Sequence, residues 1–218
     1  MSLSNFLRRK NFMLGPFLPR LPRRILKQLF RSVKNSQVIS FSEPVGGLMR
    51  RIRYSVAMSL DGYIAGPKGE ADWITMDPDV DFRALFKQFD TILVGRKTFE
   101  PMVSAGRTSM PGMKTIVFSR TLRQEDHPGV QIVSGNQIET VAALKASPGK
   151  DIWLFGGGAL FRSLAEAKLV DTVEVSIVPI LLGTGIPLAP NPANWIQLSL
   201  KHHKVYRSGV VSLEYKIA

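Results

Sequence analysis

The sequence predicts a three-layer α/β/α sandwich: a mostly parallel central sheet, helices on both faces, and an antiparallel hairpin closing one edge. Three observations lead there. Strand-like and helix-like patterns alternate through most of the 218 residues, which is how crossover helices connect parallel strands. The runs 90–94 and 152–155 are apolar without alternation, so those strands are covered on both faces. Residues 197–206 and 209–217 are separated only by Arg207 and Ser208, so they pair as a hairpin.

In chain order, residues 52–58 alternate as a first strand. A loop punctuated by Gly62, Gly66 and Gly69 follows, with Trp73 and Ile74 at its far end. A connection that long inside a compact α/β unit is more often functional than filler. Asp77, Pro78 and Asp79 open a helix whose buried face is Phe82, Leu85, Phe86 and Phe89, ending near Phe89. Strand 90–94 then runs into Gly95, Arg96, Lys97 and Thr98, a glycine followed by a donor-rich helix start. Pro111-Gly112 turns into a strand at 113–118 that ends at Ser119 and Arg120. A short strand at 130–133 and a helix at 138–146 come next. Strand 152–155 is broken by Gly156, Gly157 and Gly158, after which 159–168 resumes with Leu160, Phe161, Leu164 and Ala165 on one helical face. Residues 172–178 alternate and are β-branched, a further strand.

The charge is unevenly spread. Of the formal +12, residues 1–53 carry twelve Lys/Arg against Glu43, or +11, and residues 54–218 carry seventeen against sixteen, or +1. Polyanion binding would therefore belong to the N-terminal arm and not to the fold. Two units are expected: a basic, poorly ordered extension over 1–48 and a globular domain over 49–218. Pro16, Pro19 and Pro22 interrupt the arm's apolar run, so it is neither a membrane span nor a signal-peptide core. Leu26, Leu29, Phe30 and Val33 would line a short basic amphipathic helix, which suits a transit-peptide-like or membrane-surface segment. The alternative is a non-native extension ahead of Met49, favoured because the first strand begins just after it. With no cysteine, disulfides, thiol nucleophiles and Cys-based zinc sites are excluded. His202 and His203 point to opposite faces of one strand, and His127 sits in a turn, so no metal site is expected.

Three segments carry chemistry. A strand that passes through glycine into a helix leaves backbone N–H groups bare at the positive end of the helix dipole, a setting for phosphate. The alternative for each is a tight turn without a ligand. Gly95, Arg96, Lys97 and Thr98 form one such start, and Gly156, Gly157, Gly158 and Ala159 another. Ser119 and Arg120 close a third strand and suit one further phosphate. In parallel sheets ligands bind at the carboxyl ends of the strands, where all three lie.

The run GGGALFRSLAEAKLVDTVEVSIVPILLGTG, together with these segments, resembles the reductase domain of the bifunctional riboflavin-biosynthesis deaminase-reductase. That domain belongs to the dihydrofolate reductase superfamily. The resemblance covers about Arg50 to Ala218. It implies an NADPH-dependent reductase of a small pyrimidine- or pterin-like substrate, cytoplasmic and homodimeric, with no metal. Gly95, Arg96, Lys97, Thr98, Ser119 and Arg120 would hold the adenine-ribose-phosphate end of NADPH. Gly156, Gly157, Gly158 and Ala159 would hold the pyrophosphate. An acidic residue at the first helix would meet the pyrimidine ring; motif register selects Asp81, whereas ungapped counting from Gly95 selects Asp79. Without the resemblance, both acids read as helix caps. Ala57, Trp73, Leu85 and Ser176 would line the substrate.

Two departures restrict the substrate. The arginine that pairs with the glutamate tail of folate is replaced here by Met113 and Lys114, and methionine cannot form a bidentate clamp. The acidic Asp-Asp-Pro segment of the riboflavin-pathway reductases is Phe99-Glu100-Pro101-Met102 in this chain. Other readings remain: dihydrofolate reductase proper, a nucleotide-binding module without catalysis, or a nucleic-acid or membrane binder acting through the arm.

Overall fold

The computed structural model describes residues 49–75 and 77–218; the expected basic extension lies outside them. Ten strands and four α-helices follow in the order β1 (Ile52–Ser59), β2 (Tyr63–Ala65), α1 (Phe82–Phe86), β3 (Phe89–Gly95), α2 (Arg96–Ser104), β4 (Lys114–Phe118), β5 (Gln131–Val133), α3 (Gln137–Ala146), β6 (Asp151–Gly156), α4 (Gly158–Glu166), β7 (Thr172–Val178), β8 (Ile186–Pro187), β9 (Leu198–Val205) and β10 (Val211–Ile217). The main sheet has the order β5-β4-β3-β6-β1-β7-β10-β9. Its first six strands are mutually parallel, and β10 and β9 are the antiparallel hairpin.

Each face of the sheet carries its own core. On one, Leu160, Phe161 and Leu164 of α4 and Val141 of α3 meet Ile52, Tyr54, Ile152 and Leu154. Tyr54 and Phe161 stack with ring centroids 4.1 Å apart. On the other face, Phe99 of α2 and Leu85 and Phe86 of α1 pack with Phe89, Ile92, Val94 and Trp153. Helices on both faces of a parallel sheet make the three layers expected from the sequence.

Two features differ from the pattern reading. The first helix does not reach Phe89: α1 is five residues long, and Phe89 opens β3. At the far end Phe89 pairs with Asp151 of β6 instead of continuing the helix, whereas the late start comes from side-chain competition for the backbone. Asp77 captures the Asp79 N–H at 2.8 Å and forms a turn of its own, so the helix starts only at Asp81. Phe89 keeps its apolar contact as a strand residue stacked on Trp153. The second difference is a small sheet of β2 with β8; its strands are too short to show a pattern. Among the described residues no helix is long and apolar enough to cross a membrane.

The amino-terminal edge of the sheet is tied by ion pairs. Arg53, 3% exposed, donates to both carboxylate oxygens of Glu174 at 2.6 and 2.9 Å and to Asp151 at 3.3 Å. Its guanidinium lies 4.7 Å from the centroid of Phe89. Burial alone would lower its pKa, but Glu174 and Asp151 outweigh that and raise it. Removing one partner from such a pair strands the other charges. Arg53→Met should cost about 3–5 kcal/mol, lowering Tm by roughly 10 °C. A fall below about 3 °C in calorimetry would contradict this account of the edge.

Candidate functional site

Strands β3 and β6 are neighbours, yet their outgoing helices leave to opposite faces: α2 toward Phe99 and Val94, α4 toward Tyr54 and Leu154. This is a topological switch point, where a crevice opens beyond the carboxyl ends of the strands. Both helices begin at a glycine. Gly95 caps α2 and Gly157 caps α4, and neither start has a side-chain cap hydrogen bond. The two starts adjoin: a Cβ on Gly95 would lie 3.8 Å from the Gly156 carbonyl and the Gly157 nitrogen. Thr98 completes the contact, its hydroxyl 3.3 Å from where a Gly157 Cβ would stand. Gly156 has φ +136°, a conformation reserved for glycine, and the Gly156–Gly157 peptide is cis. Two bare positive helix ends side by side are suited to a diphosphate.

The crevice is walled by the loops after β1 and β7. The Tyr54 hydroxyl donates to the Leu188 carbonyl at 3.0 Å, and Leu188 N–H to Gly62. Gly158 lies directly under this strap; a Cβ there would come within 2.6 Å of the Pro187 carbonyl. Asp61 fastens the two loops together. It accepts from Ser59 Oγ at 2.6 Å, from Gly183 N–H at 2.7 Å and from Leu182 N–H at 3.1 Å.

Further along the same edge, β4, β5 and the start of α3 border an open cavity of about 460 Å³, lined by Ser119, Arg120, Ser134, Gly135, Asn136 and Gln137 among others. The two residues expected here divide their work. Ser119 is buried, and its hydroxyl accepts from Thr121 and Leu122 N–H, shaping the turn. Arg120 is exposed and has no hydrogen-bond or ion-pair partner among the described residues. Of the α2 residues, Lys97 is exposed, whereas the Arg96 side chain pairs with Glu100 at 2.8 Å.

The expected substrate-side residues lie on the other half of the sheet. Ala57 and Ser176 are register partners on β1 and β7, and Ser176 Oγ is 3.0 Å from Ser212 Oγ on β10. Leu85 packs into the aromatic cluster, where Phe86 stacks on Trp153 at 5.5 Å. Trp153 in turn donates its indole N–H to the Ser55 carbonyl at 2.8 Å. Trp73 is half-buried and donates to the Glu70 carbonyl, within its own loop. Asp81 caps α1, accepting from Ala84 N–H at 2.9 Å, and is exposed. Asp79 is exposed as well, 3.9 Å from Arg207.

The sequence profile of the RibD C-terminal domain matches residues 50–212. The chain belongs to the RibD C-terminal domain family. That family is a reductase-type enzyme domain associated with the riboflavin pathway. The chain is 39% identical over 178 residues to the uncharacterized protein YyaP of Bacillus subtilis, covering 76% of this chain and 94% of that protein. A solved structure from Shewanella sp. PV-4, named for riboflavin biosynthesis, is 27% identical with a TM-score of 0.67 and covers 78% of this chain and 99% of its own. Dihydrofolate reductase from Enterococcus faecalis, complexed with NADP(H), shares the fold at 18% identity, TM-score 0.59, covering 78% of this chain and 98% of that one.

Within this RibD C-terminal domain, four contributors are not evident from the sequence pattern. Asn136 and Gln137 line the Arg120 cavity only because β5 ends and α3 begins there. Ser212 reaches Ser176 through strand register, which a local pattern cannot show. Asp61 had a usable signal: Ser-x-Asp-Gly favours a side-chain-capped turn. In this chain the turn receives the Leu182 and Gly183 N–H groups from the loop after β7. Hydrogen bonds from Ser59, and from Gly183 and Leu182, outweigh desolvation and hold the Asp61 carboxyl below the usual aspartate range. A depressed native pKa gives stability that is present above the unfolded value of about 3.9 and lost as pH falls through the native value. Asp61→Asn should therefore lose less stability than wild type between about pH 5 and about pH 2. Urea midpoints that fall in parallel for both proteins would contradict this.

Proposed function

We propose that this chain is an NADPH-dependent reductase of a small pyrimidine- or pterin-like heterocycle. The observation that carries the reading is the pair of uncapped, glycine-started helices side by side between β3 and β6. Their N–H groups fit a dinucleotide's diphosphate, with Gly156, Gly157, Gly158 and Ala159 on one side and Gly95, Lys97 and Thr98 on the other. The Arg120 cavity has the size and the free cation for a phosphorylated adenosine end. When bound, NADPH supplies the hydride. The chain's own contribution is to hold and orient the two reactants and to exclude water with the Leu188 strap.

On the substrate side, Ala57, Ser176 and Leu85 would form a surface facing the heterocycle, with the carboxylate of Asp81 or Asp79 to receive it and Trp73 at the loop. A carboxylate there can receive an amino-pyrimidine edge through two hydrogen bonds and favour protonation nearby. Folate itself is a poor fit: Met113 is buried in the core and Lys114 alone cannot form a fork for a glutamate tail. The proposed reductase unit spans 49–218, with 1–48 dispensable for it. One observation favours a second reading, a nucleotide-binding module without turnover. Asp81 spends one oxygen on its helix cap, and Asp79 stands exposed at the surface. Loss of turnover in Asp81→Asn or Asp79→Asn, with NADPH affinity intact, distinguishes a reductase from that module.

Cofactor choice gives the direct test. A charge-assisted Arg–phosphate contact is worth about 1–3 kcal/mol. Titrating both cofactors against wild type and Arg120→Ala should show the NADPH/NADH affinity ratio falling by roughly fivefold or more in the mutant. An unchanged ratio would remove Arg120 from the site.

A further inference from the structure

Asp77 is the one acidic residue among the buried polar side chains of the described residues, with 4% exposure. Its two neighbours in the same segment, Asp79 and Asp81, are exposed. The burial is not idle. One carboxylate oxygen accepts the Asp79 N–H at 2.8 Å, and the other accepts the Ser208 N–H at 3.2 Å, from the turn between β9 and β10. The side chain thus joins two segments 131 residues apart. Hydrogen bonds from Ser208 and Asp79 hold the carboxyl below the usual range, outweighing desolvation, and the Lys204 cation adds a smaller contribution. Arg207 approaches Asp79 at 3.9 Å, but that pair is largely solvated and contributes little.

We infer that Asp77 is a positioning residue that docks residues 77–86 onto the β9–β10 turn, and so fixes the wall of the substrate side. The segment needs such a dock. Helix α1 has five residues, far too few to be stable alone. Phe86 anchors its far end on Trp153 of β6, and Asp77 anchors its near end on the turn that leads from β9 into β10. The strands between those anchors are β1, β7 and β10, and their register sets Ala57, Ser176 and Ser212 in one row. Asp79, Asp81 and Leu85 are therefore carried by a short bridge held at two points. Losing the Asp77 end leaves the aromatic end in place and lets the acidic part move. What is positioned rests on the reading given under Proposed function; the dock itself does not.

Hydrogen exchange by mass spectrometry on the full chain, comparing wild type, Asp77→Asn and Asp77→Ala, tests the dock. Alanine removes both acceptors, whereas asparagine keeps one oxygen. In Asp77→Ala, exchange should rise tenfold or more in both 78–86 and 206–210, with α4 and β6 unchanged and Asp77→Asn intermediate. Unchanged exchange, or a uniform rise through the core, would overturn the inference. The second readout uses 5,6-diaminouracil as an amino-pyrimidine probe alongside NADPH. Probe affinity should weaken at least tenfold in Asp77→Ala while NADPH affinity stays within twofold. Loosened segments with unaltered probe affinity would overturn the positioning role. Equal loss of both affinities would reduce Asp77 to a general stabiliser, which also overturns it. If wild type binds neither molecule, the reading of the site fails, and the exchange pattern decides the dock by itself.

Discussion

Insertion of β6 between β3 and β1 is the constraint on which the rest of this molecule depends. Had β6 been added at an edge, α2 and α4 would start in different places, and their bare N–H groups would act separately. Because β3 and β6 are hydrogen-bonded neighbours, Gly95 and Gly157 lie so near that a Cβ on Gly95 would touch Gly157, and two helix dipoles converge on one crevice. Glycine is required there twice over. Gly156 adopts a backbone conformation closed to other residues, and Gly158 has no room for a Cβ beneath the Pro187 carbonyl. The remaining loops are fitted around that point.

Those loops are held by polar contacts, to which Leu188 and Ala189 add packing against the core. Asp61 joins the loop after β1 to the loop after β7, Tyr54 holds Leu188, and Asp77 holds the turn beyond β9. The opposite edge of the sheet is fixed differently, by ion pairs of Arg50 with Asp90, Arg51 with Asp151 and Arg53 with Glu174. The division has a functional sense. Hydrogen bonds to single carboxylates place short loops accurately, and they leave the strand ends open to a ligand.

Much of this was legible in the sequence, for definite reasons. Buried parallel strands announce themselves as unbroken apolar runs, so 90–94 and 152–155 were readable, and the glycines after them marked the helix starts. The hairpin followed from spacing. What escaped was set by competition or by register. Phe89 satisfies a helical period and a strand position equally well, and its pairing with Asp151 of β6 decides between them. Asp79 and Asp81 became candidates through the family resemblance, whereas Asp77 reveals itself only through Ser208, 131 residues away. The Ser176–Ser212 contact depends on a strand pairing that no local pattern encodes. The Ser119 hydroxyl also accepts two N–H groups of the turn that follows Arg120, a contact not evident from the local pattern.

The central claim is that one dinucleotide crosses the strand ends from the Arg120 cavity to the glycine starts. Backbone amide shifts recorded during an NADPH titration test it most directly. The account predicts saturable shifts at residues 95–98, 119–120, 134–137 and 156–159, all reporting one dissociation constant. Shifts that do not saturate, that report separate constants for the two ends, or that fall in the basic segment 1–48 would contradict it.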